Sequence, residues 1–185
     1  HLLEIGTGWG GFALHAAKNY GCRITSTTIS QEQFIFAENL IQKNGLQDQV
    51  TIIKKDFREL EGQFDKLVSI EMIEAIGHKL YKTFFQKCSK LLKPEGLLVI
   101  QAITIADNLF EESKDFIDFI KQYIFPGSCI PSISALCSAA TSSDIKLFHL
   151  EDITPHYART LKEWRTNFLQ NKSRVKGLGF TNAFI

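Results

Sequence analysis

The segment Leu2-Leu3-Glu4-Ile5 runs directly into Gly6-Thr7-Gly8-Trp9-Gly10-Gly11, and a helical pattern opens at Phe12. No other stretch restricts the fold as much. An apolar strand that turns on glycines into a helix exposes backbone N–H groups and the positive end of the helix dipole, so a ligand can approach the main chain closely. Gly6, Gly8 and Gly11 fit G-x-G-x-x-G, a pattern associated with dinucleotides. Two neighbours favour S-adenosylmethionine. Glu4 lies two residues before the first glycine, where a carboxylate can reach the cationic amino end of that cofactor. The second strand ends in Thr27-Thr28-Ile29-Ser30, where an NAD protein usually offers an acid to the ribose.

The rest of the chain repeats strand and helix. A helix over 12–20 closes at Gly21, and 23–28 alternates as a strand. Ser30 and Gln33 form a capping-box pair for the next helix, which ends near Asn44-Gly45. Strands follow at 50–53 and 64–70, then a helix over 81–92 stopped by Pro94. A nearly continuous apolar strand at 96–103 suggests that both its faces are covered. The expectation is an α/β doubly wound, mostly parallel sheet, the Rossmann-like form, in a single domain over 1–185. Residues 107–143 break the rhythm and read as a helical lid insertion, with a helix over 113–123 and a small-residue helix after Pro131. A strand at 145–150 and a helix at 160–171 complete the expected order.

Composition narrows the function. The chain has 185 residues, 21 Lys and Arg against 20 Asp and Glu, and no basic block, which argues against nucleic acid as a partner. No apolar run is long enough for a transmembrane helix. Cys22, Cys88, Cys129 and Cys137 show no C-x-x-C pairing, so neither a metal site nor a disulfide framework is expected, and the thiols suit a reducing cytoplasm. His1 enters the first strand at once and the chain stops at Ile185, so it reads as a piece of a longer protein.

A second candidate region leaves the fourth strand as Glu71-Met72-Ile73-Glu74-Ala75-Ile76-Gly77-His78. Ligands in open α/β sheets sit at the carboxyl ends of strands. Glu71 and Glu74, three apart, share a face if the stretch is helical. His78 reads either as a general base or as a surface residue at a helix start.

On these residues and others, the chain resembles the cyclopropane-fatty-acyl-phospholipid synthases, including the mycolic acid cyclopropane synthases. The resemblance runs through Leu3 to Gly11, Thr28-Ile29-Ser30-Gln31-Glu32-Gln33, Ser69 to Gly77, and Tyr123-Ile124-Phe125-Pro126-Gly127. It continues through His156-Tyr157-Ala158-Arg159-Thr160-Leu161 and Trp164. It implies transfer of the methyl group of S-adenosylmethionine to a cis double bond of a phospholipid acyl chain. A carbocation forms, a bound bicarbonate removes a proton, and a cyclopropane ring closes. Carried over by position, Glu74 and Tyr157 hold the bicarbonate, Gln101 stands where the family usually has histidine, and Ile103 offers its backbone N–H. Glu4, Gly6, Gly8 and Gly10 meet the methionine part of the cofactor, Thr28, Ile29 and Gln33 the ribose, and Asp56 and Phe57 the adenine. Asp56 also reads as a plain turn cap. Phe110, Phe116, Phe119, Ile120, Phe125 and Ile130 are candidates for an acyl tunnel or for plain core.

The family's cysteine lies in a segment before the first strand that is absent from this chain. The family's N-terminal helices and last strand are absent too, so the isolated piece is expected to be inactive. The resemblance further implies a cytoplasmic enzyme in transient, peripheral contact with a membrane surface. Oligomeric state stays open, as does the choice among ring closure, methyl branching and methylene addition. Three rivals stay open as well: an amine N-methyltransferase on the same scaffold, a silent cofactor-binding module, and an NAD-dependent oxidoreductase.

Overall fold

The apolar runs become strands wherever a partner edge is available. In the computed structural model, which describes residues 1–185, these are β1 (Leu2–Ile5), β2 (Ile24–Thr28), β3 (Val50–Lys54), β4 (Phe64–Ile70) and β5 (Leu92–Gln101). All are parallel, in the order β3-β2-β1-β4-β5. The chain winds outward from β1 through β2 to β3, then crosses back to β4. Strand order therefore reverses between β1 and β4, and ligand crevices open beside such a point at the carboxyl ends of the strands. The glycine turn and the Glu71–Glu74 segment are the two exits that meet there.

Side-chain alternation divides the core between the two faces of the sheet. Leu3, Ile5 and Leu67 pack with Phe57, Phe84, Phe85 and Leu91, beneath α3 (Tyr81–Leu91). On the other face Ile24, Val50 and Ile52 meet Ala13, Ala16 and Ala17 of α1 (Gly11–Tyr20) and Ala37 and Ile41 of α2 (Gln31–Lys43). The alanines let both helices lie close to the strands. Gly21 closes α1 in a left-handed conformation, its N–H donating to the Ala17 carbonyl. Ser30 caps α2 by accepting from the Gln33 N–H at 3.3 Å, but the Gln33 side chain turns to Thr28 instead of closing the box.

Three sequence expectations are corrected. β5 starts at Leu92, not at Gly96, because Leu92 pairs with Phe64. The register then jumps to Lys66 opposite Leu97, which leaves Lys93-Pro94-Glu95-Gly96 as a bulge that accommodates the proline. β5 is also a sheet edge with one open face: Leu97 is 42% and Val99 59% exposed, since the α1–α2 core reaches no residue of β5. Finally, the helix expected over 113–123 is two helices, α4 (Asp107–Ser113) and α5 (Phe119–Tyr123). Asp118 restarts the helix by accepting from the Lys121 N–H at 2.7 Å. Lys121 Nζ then reaches back to the carbonyls of Ser113, Lys114 and Phe116, supplying donors where α4 ends.

α6 (Ile133–Ala140) starts at Ser132, whose hydroxyl accepts from the Ala135 N–H. Its first turn is tied to the start of α4, because Asp107 accepts from the Ser134 N–H at 2.9 Å and Ile105 N–H donates to the Pro131 carbonyl.

The chain divides into two units, His1–Lys146 and Leu147–Ile185. The strand expected at 145–150 does not form. Its apolar residues pair with no strand, and Phe148 is 80% exposed. The second unit holds α7 (Thr154–Gln170) and α8 (Lys172–Gly177). α7 begins earlier than position 160, because Asp152 accepts from the Thr154 N–H at 2.8 Å and Pro155 fits a first helical turn.

Candidate active site at the strand ends

The glycine turn is built on left-handed backbone. Gly6, Gly8 and Gly10 have φ of +101°, +52° and +80°, whereas Gly11 is ordinary helix. The special glycines are thus the Gly6-Gly8-Gly10 set assigned to S-adenosylmethionine, not the G-x-G-x-x-G set that ends at Gly11. Gly6 and Thr7 donate to the Thr27 carbonyl at 3.0 and 2.8 Å, which ties the turn to the end of β2. Gly10 packs on α2: a Cβ there would lie 3.1 Å from that of Ala37. Gly8 differs, since a Cβ there would meet nothing within 4 Å and would project into open space. Gly10, as N-cap, gives α1 no side-chain acceptor, so the helix start presents its N–H groups at the same place.

Glu4 lies beneath this turn and is almost fully buried. Its register partner across β1–β2 is Ser26, whose hydroxyl donates to Glu4 Oε2 at 2.5 Å and is itself 2.5 Å from Thr7 Oγ1. Burial raises the Glu4 pKa from 4.5 to about 7, against the opposing Ser26 bond. The folded chain therefore holds this proton across a range in which the unfolded chain has lost it. Stability falls as pH rises from 4.5 to about 7, and the full penalty stands above that. A shift of this size corresponds to about 3 kcal/mol. Glu4→Gln is expected to melt with the wild type below pH 4.5 and above it at pH 8, as thermal denaturation followed by circular dichroism would show. Coincident melting at pH 8 would remove the burial penalty from the account.

Residues assigned to the rest of the cofactor cluster at the next two strand ends. Thr28 Oγ1 donates to Gln33 Oε1 at 2.8 Å and accepts from the Ser30 N–H, while the Ile29 side chain stands 74% exposed beside them. After β3, Asp56 caps the short 3-10 turn Phe57–Glu59 by accepting from the Arg58 N–H at 2.9 Å. The Arg58 guanidinium bonds both carboxylate oxygens and holds that carboxyl below its ordinary range. The Phe57 ring is core, edge-on to Phe84 at 5.7 Å.

At the β4 exit, the helical turn expected to align Glu71 with Glu74 does not form. Glu71 takes a left-handed φ of +50°, and a reverse turn closes with Ala75 N–H on the Met72 carbonyl. The two carboxylates still converge on the end of β5. Gln101 Nε2 donates to Glu71 Oε1 at 2.8 Å, and Ile103 N–H donates to Glu74 Oε1 at 2.6 Å. Ile103 N–H, assigned to the anion, is therefore spent on Glu74 itself. The second oxygen, Glu74 Oε2, is buried with no hydrogen-bond partner. Burial raises the Glu74 pKa and the Glu71 charge adds to that, while main-chain donors oppose it.

The lid loop clamps this segment. Cys129 N–H donates to the Glu74 carbonyl at 2.8 Å, and the buried Tyr81 hydroxyl donates to the Cys129 carbonyl at 2.7 Å. Neither residue was singled out from the sequence for this clamp. His78 Nε2 faces Asp115 of the lid at 3.8 Å. Tyr157 belongs to the second unit, on α7, with its ring edge-on to Trp164 at 6.4 Å. Among the lid candidates Phe110 is core, whereas Phe116, Phe119, Ile120, Phe125 and Ile130 are exposed.

Known proteins resemble this chain in sequence and in fold. The family model described as mycolic acid cyclopropane synthetase matches residues 1–185. The tuberculostearic acid methyltransferase UfaA1 of Mycobacterium tuberculosis is 36% identical over 185 residues, all of this chain and 43% of that protein. The cyclopropane-fatty-acyl-phospholipid synthase of Escherichia coli K12 is 36% identical over 171 residues, 91% of this chain and 42% of its own length. Among solved structures, the mycolic acid cyclopropane synthase CmaA1 complexed with SAH and CTAB superposes with a TM-score of 0.86 at 26% identity, over 96% of this chain and 65% of that one. The chain thus spans about two fifths of these two curated relatives.

Proposed function

The chain belongs to the mycolic acid cyclopropane synthetase family, and from that premise we propose that it is the core of an S-adenosylmethionine-dependent methyltransferase acting on the cis double bond of a phospholipid acyl chain, with ring closure as the outcome. One observation carries the reading. The open Gly8 cradle at the end of β1 and the buried, unpartnered Glu74 Oε2 beyond β4 belong to neighbouring strands at the point where the sheet reverses its order.

S-adenosylmethionine, when bound, supplies an electrophilic methyl group on a cationic sulfur. Left-handed glycines and uncapped N–H groups at a helix start suit the carboxylate of its methionine part. Glu4, once ionised, suits its amino group. Thr28, Ile29 and Gln33 serve the ribose, and Asp56 with the Phe57 main chain serves the adenine. Bicarbonate supplies a base, and it fits the carboxylate side of the β4 exit: an orphaned acceptor such as Glu74 Oε2 needs a donor, and the hydroxyl of that anion is one. Gln101 is the side-chain donor that the resemblance assigns to the same anion; Tyr157, its other assigned donor, belongs to the second unit. Ile103 acts on it through Glu74, by fixing that carboxylate.

The exposed aromatic and aliphatic side chains of the lid support a lipid substrate and peripheral contact with a membrane surface. No helix is long and apolar enough to cross a membrane.

The test uses the full-length product of the gene, methyl-labelled S-adenosylmethionine, and two substrate sets offered separately: unsaturated phospholipid vesicles and small amines. Label in the acyl chains is the expected result. Label in the amines alone would move the reading to an N-methyltransferase on the same scaffold, and binding without label transfer would move it to a silent cofactor module.

A further inference from the structure

The geometry points to Glu71 as a positioning residue that fixes the side-chain amide of Gln101 next to Glu74, an inference that rests on the proposal that Gln101 and Glu74 serve the reacting anion. Glu71 is the only non-glycine residue in the chain with a positive φ, at +50°. Such a conformation is disfavoured for any residue with a Cβ, and it persists where the surroundings over-determine it. Two bonds do so here. Glu71 N–H donates to the Gln101 carbonyl at 2.8 Å, and Gln101 Nε2 donates to Glu71 Oε1 at 2.8 Å. Main chain and side chain thus close one ring across the ends of β4 and β5.

The consequence lies in what glutamine can do. Its amide has a donor and an acceptor end that exchange places when the group turns over. An ionised carboxylate only accepts, so Glu71 selects the orientation with Nε2 toward itself. The second Nε2 proton and the Oε1 oxygen of Gln101 then have defined directions. Gln101 becomes an oriented donor that keeps its charge state at every pH, unlike the histidine it replaces. The Glu71 charge also acts on Glu74, favouring the protonated carboxyl.

The experiment compares Glu71→Gln and Glu71→Ala with wild type in the full-length gene product. Both variants keep a Cβ, so the backbone strain is the same in each. The first readout is the side-chain amide signal of Gln101 in protein labelled with 15N-glutamine, assigned by its loss in Gln101→Glu. Wild type is expected to show two well-separated amide protons. In Glu71→Ala they should collapse toward the values of free glutamine, and in Glu71→Gln, whose amide can pair with either orientation of Gln101, they should move part of that way. The second readout is the affinity for 13C-labelled bicarbonate, expected to fall roughly tenfold in Glu71→Ala, the worth of one hydrogen bond, and much less in Glu71→Gln. The third is the acid limb of the rate profile, which should move to lower pH in both variants because each removes the charge beside Glu74.

Unchanged Gln101 signals and bicarbonate affinity in Glu71→Ala would overturn the inference and leave Glu71 a plain turn residue. Should Glu71→Ala not fold, the Gln101 amide signals of Glu71→Gln decide: signals unchanged from wild type overturn the inference. If the wild type binds no bicarbonate, the proposed function fails, and the amide signals alone decide the positioning role.

Discussion

Glu74→Gln in the full-length gene product is expected to lower the rate of methyl transfer to lipid by about 10²-fold or more, with affinity for S-adenosylhomocysteine and melting temperature essentially retained. The substitution is nearly isosteric. The amide oxygen can still accept from the Ile103 N–H, the bond that holds the wild-type side chain at 2.6 Å. What changes is the other end, where an amino group replaces the buried, unpartnered Oε2. That position turns from acceptor to donor, so a hydroxyl that needs an acceptor there meets a donor instead. Burial already disfavours the charge on Glu74, so a neutral replacement costs the fold little. Steady-state kinetics with calorimetric cofactor binding separates the two effects. A variant that retains wild-type turnover would show that Oε2 does not face the reacting group.

The second large effect is expected at Gly8. Replacement by valine should reduce affinity for S-adenosylhomocysteine by about 100-fold or more, close to 3 kcal/mol. Two causes act together. A β-branched residue at φ +52° is strained, at a cost of about 1–2 kcal/mol. Its side chain also enters the open space into which the turn faces. The control is Gly11→Ala, which has ordinary helical backbone and nothing within 4 Å of the added Cβ. It should bind as wild type, and calorimetry distinguishes the two. Equal losses at both glycines would favour the dinucleotide spacing that ends at Gly11.

The sheet was legible in the sequence because its strands are short apolar or β-branched runs with glycines or helix caps close by. The glycine turn, the Ser30 cap and the Gly21 stop are local chemistry, and local chemistry survives folding. The misses needed tertiary information. The stretch 145–150 is rich in apolar residues like a strand, but a strand requires a partner edge in register, and none pairs with it. The pattern over 113–123 is helical until Asp118 and Lys121 make a new start. At the site, Glu4 was found by its distance from the glycines, while its partner Ser26 emerges only from the β1–β2 register. Glu71 and Glu74 were grouped by helical spacing. They converge for another reason: a left-handed residue and a reverse turn send both carboxylates to the end of β5.

The most direct test of the central claim follows the transferred carbon itself. The full-length product is incubated with S-adenosylmethionine carrying a trideuterated methyl group and vesicles of unsaturated phospholipid, with and without bicarbonate, and the released acyl chains are read by mass spectrometry. The account predicts a saturated, ring-containing chain that keeps two of the three deuterons, formed faster with bicarbonate and far more slowly by Glu74→Gln. A product that keeps all three deuterons, or the same yield from Glu74→Gln, would contradict it.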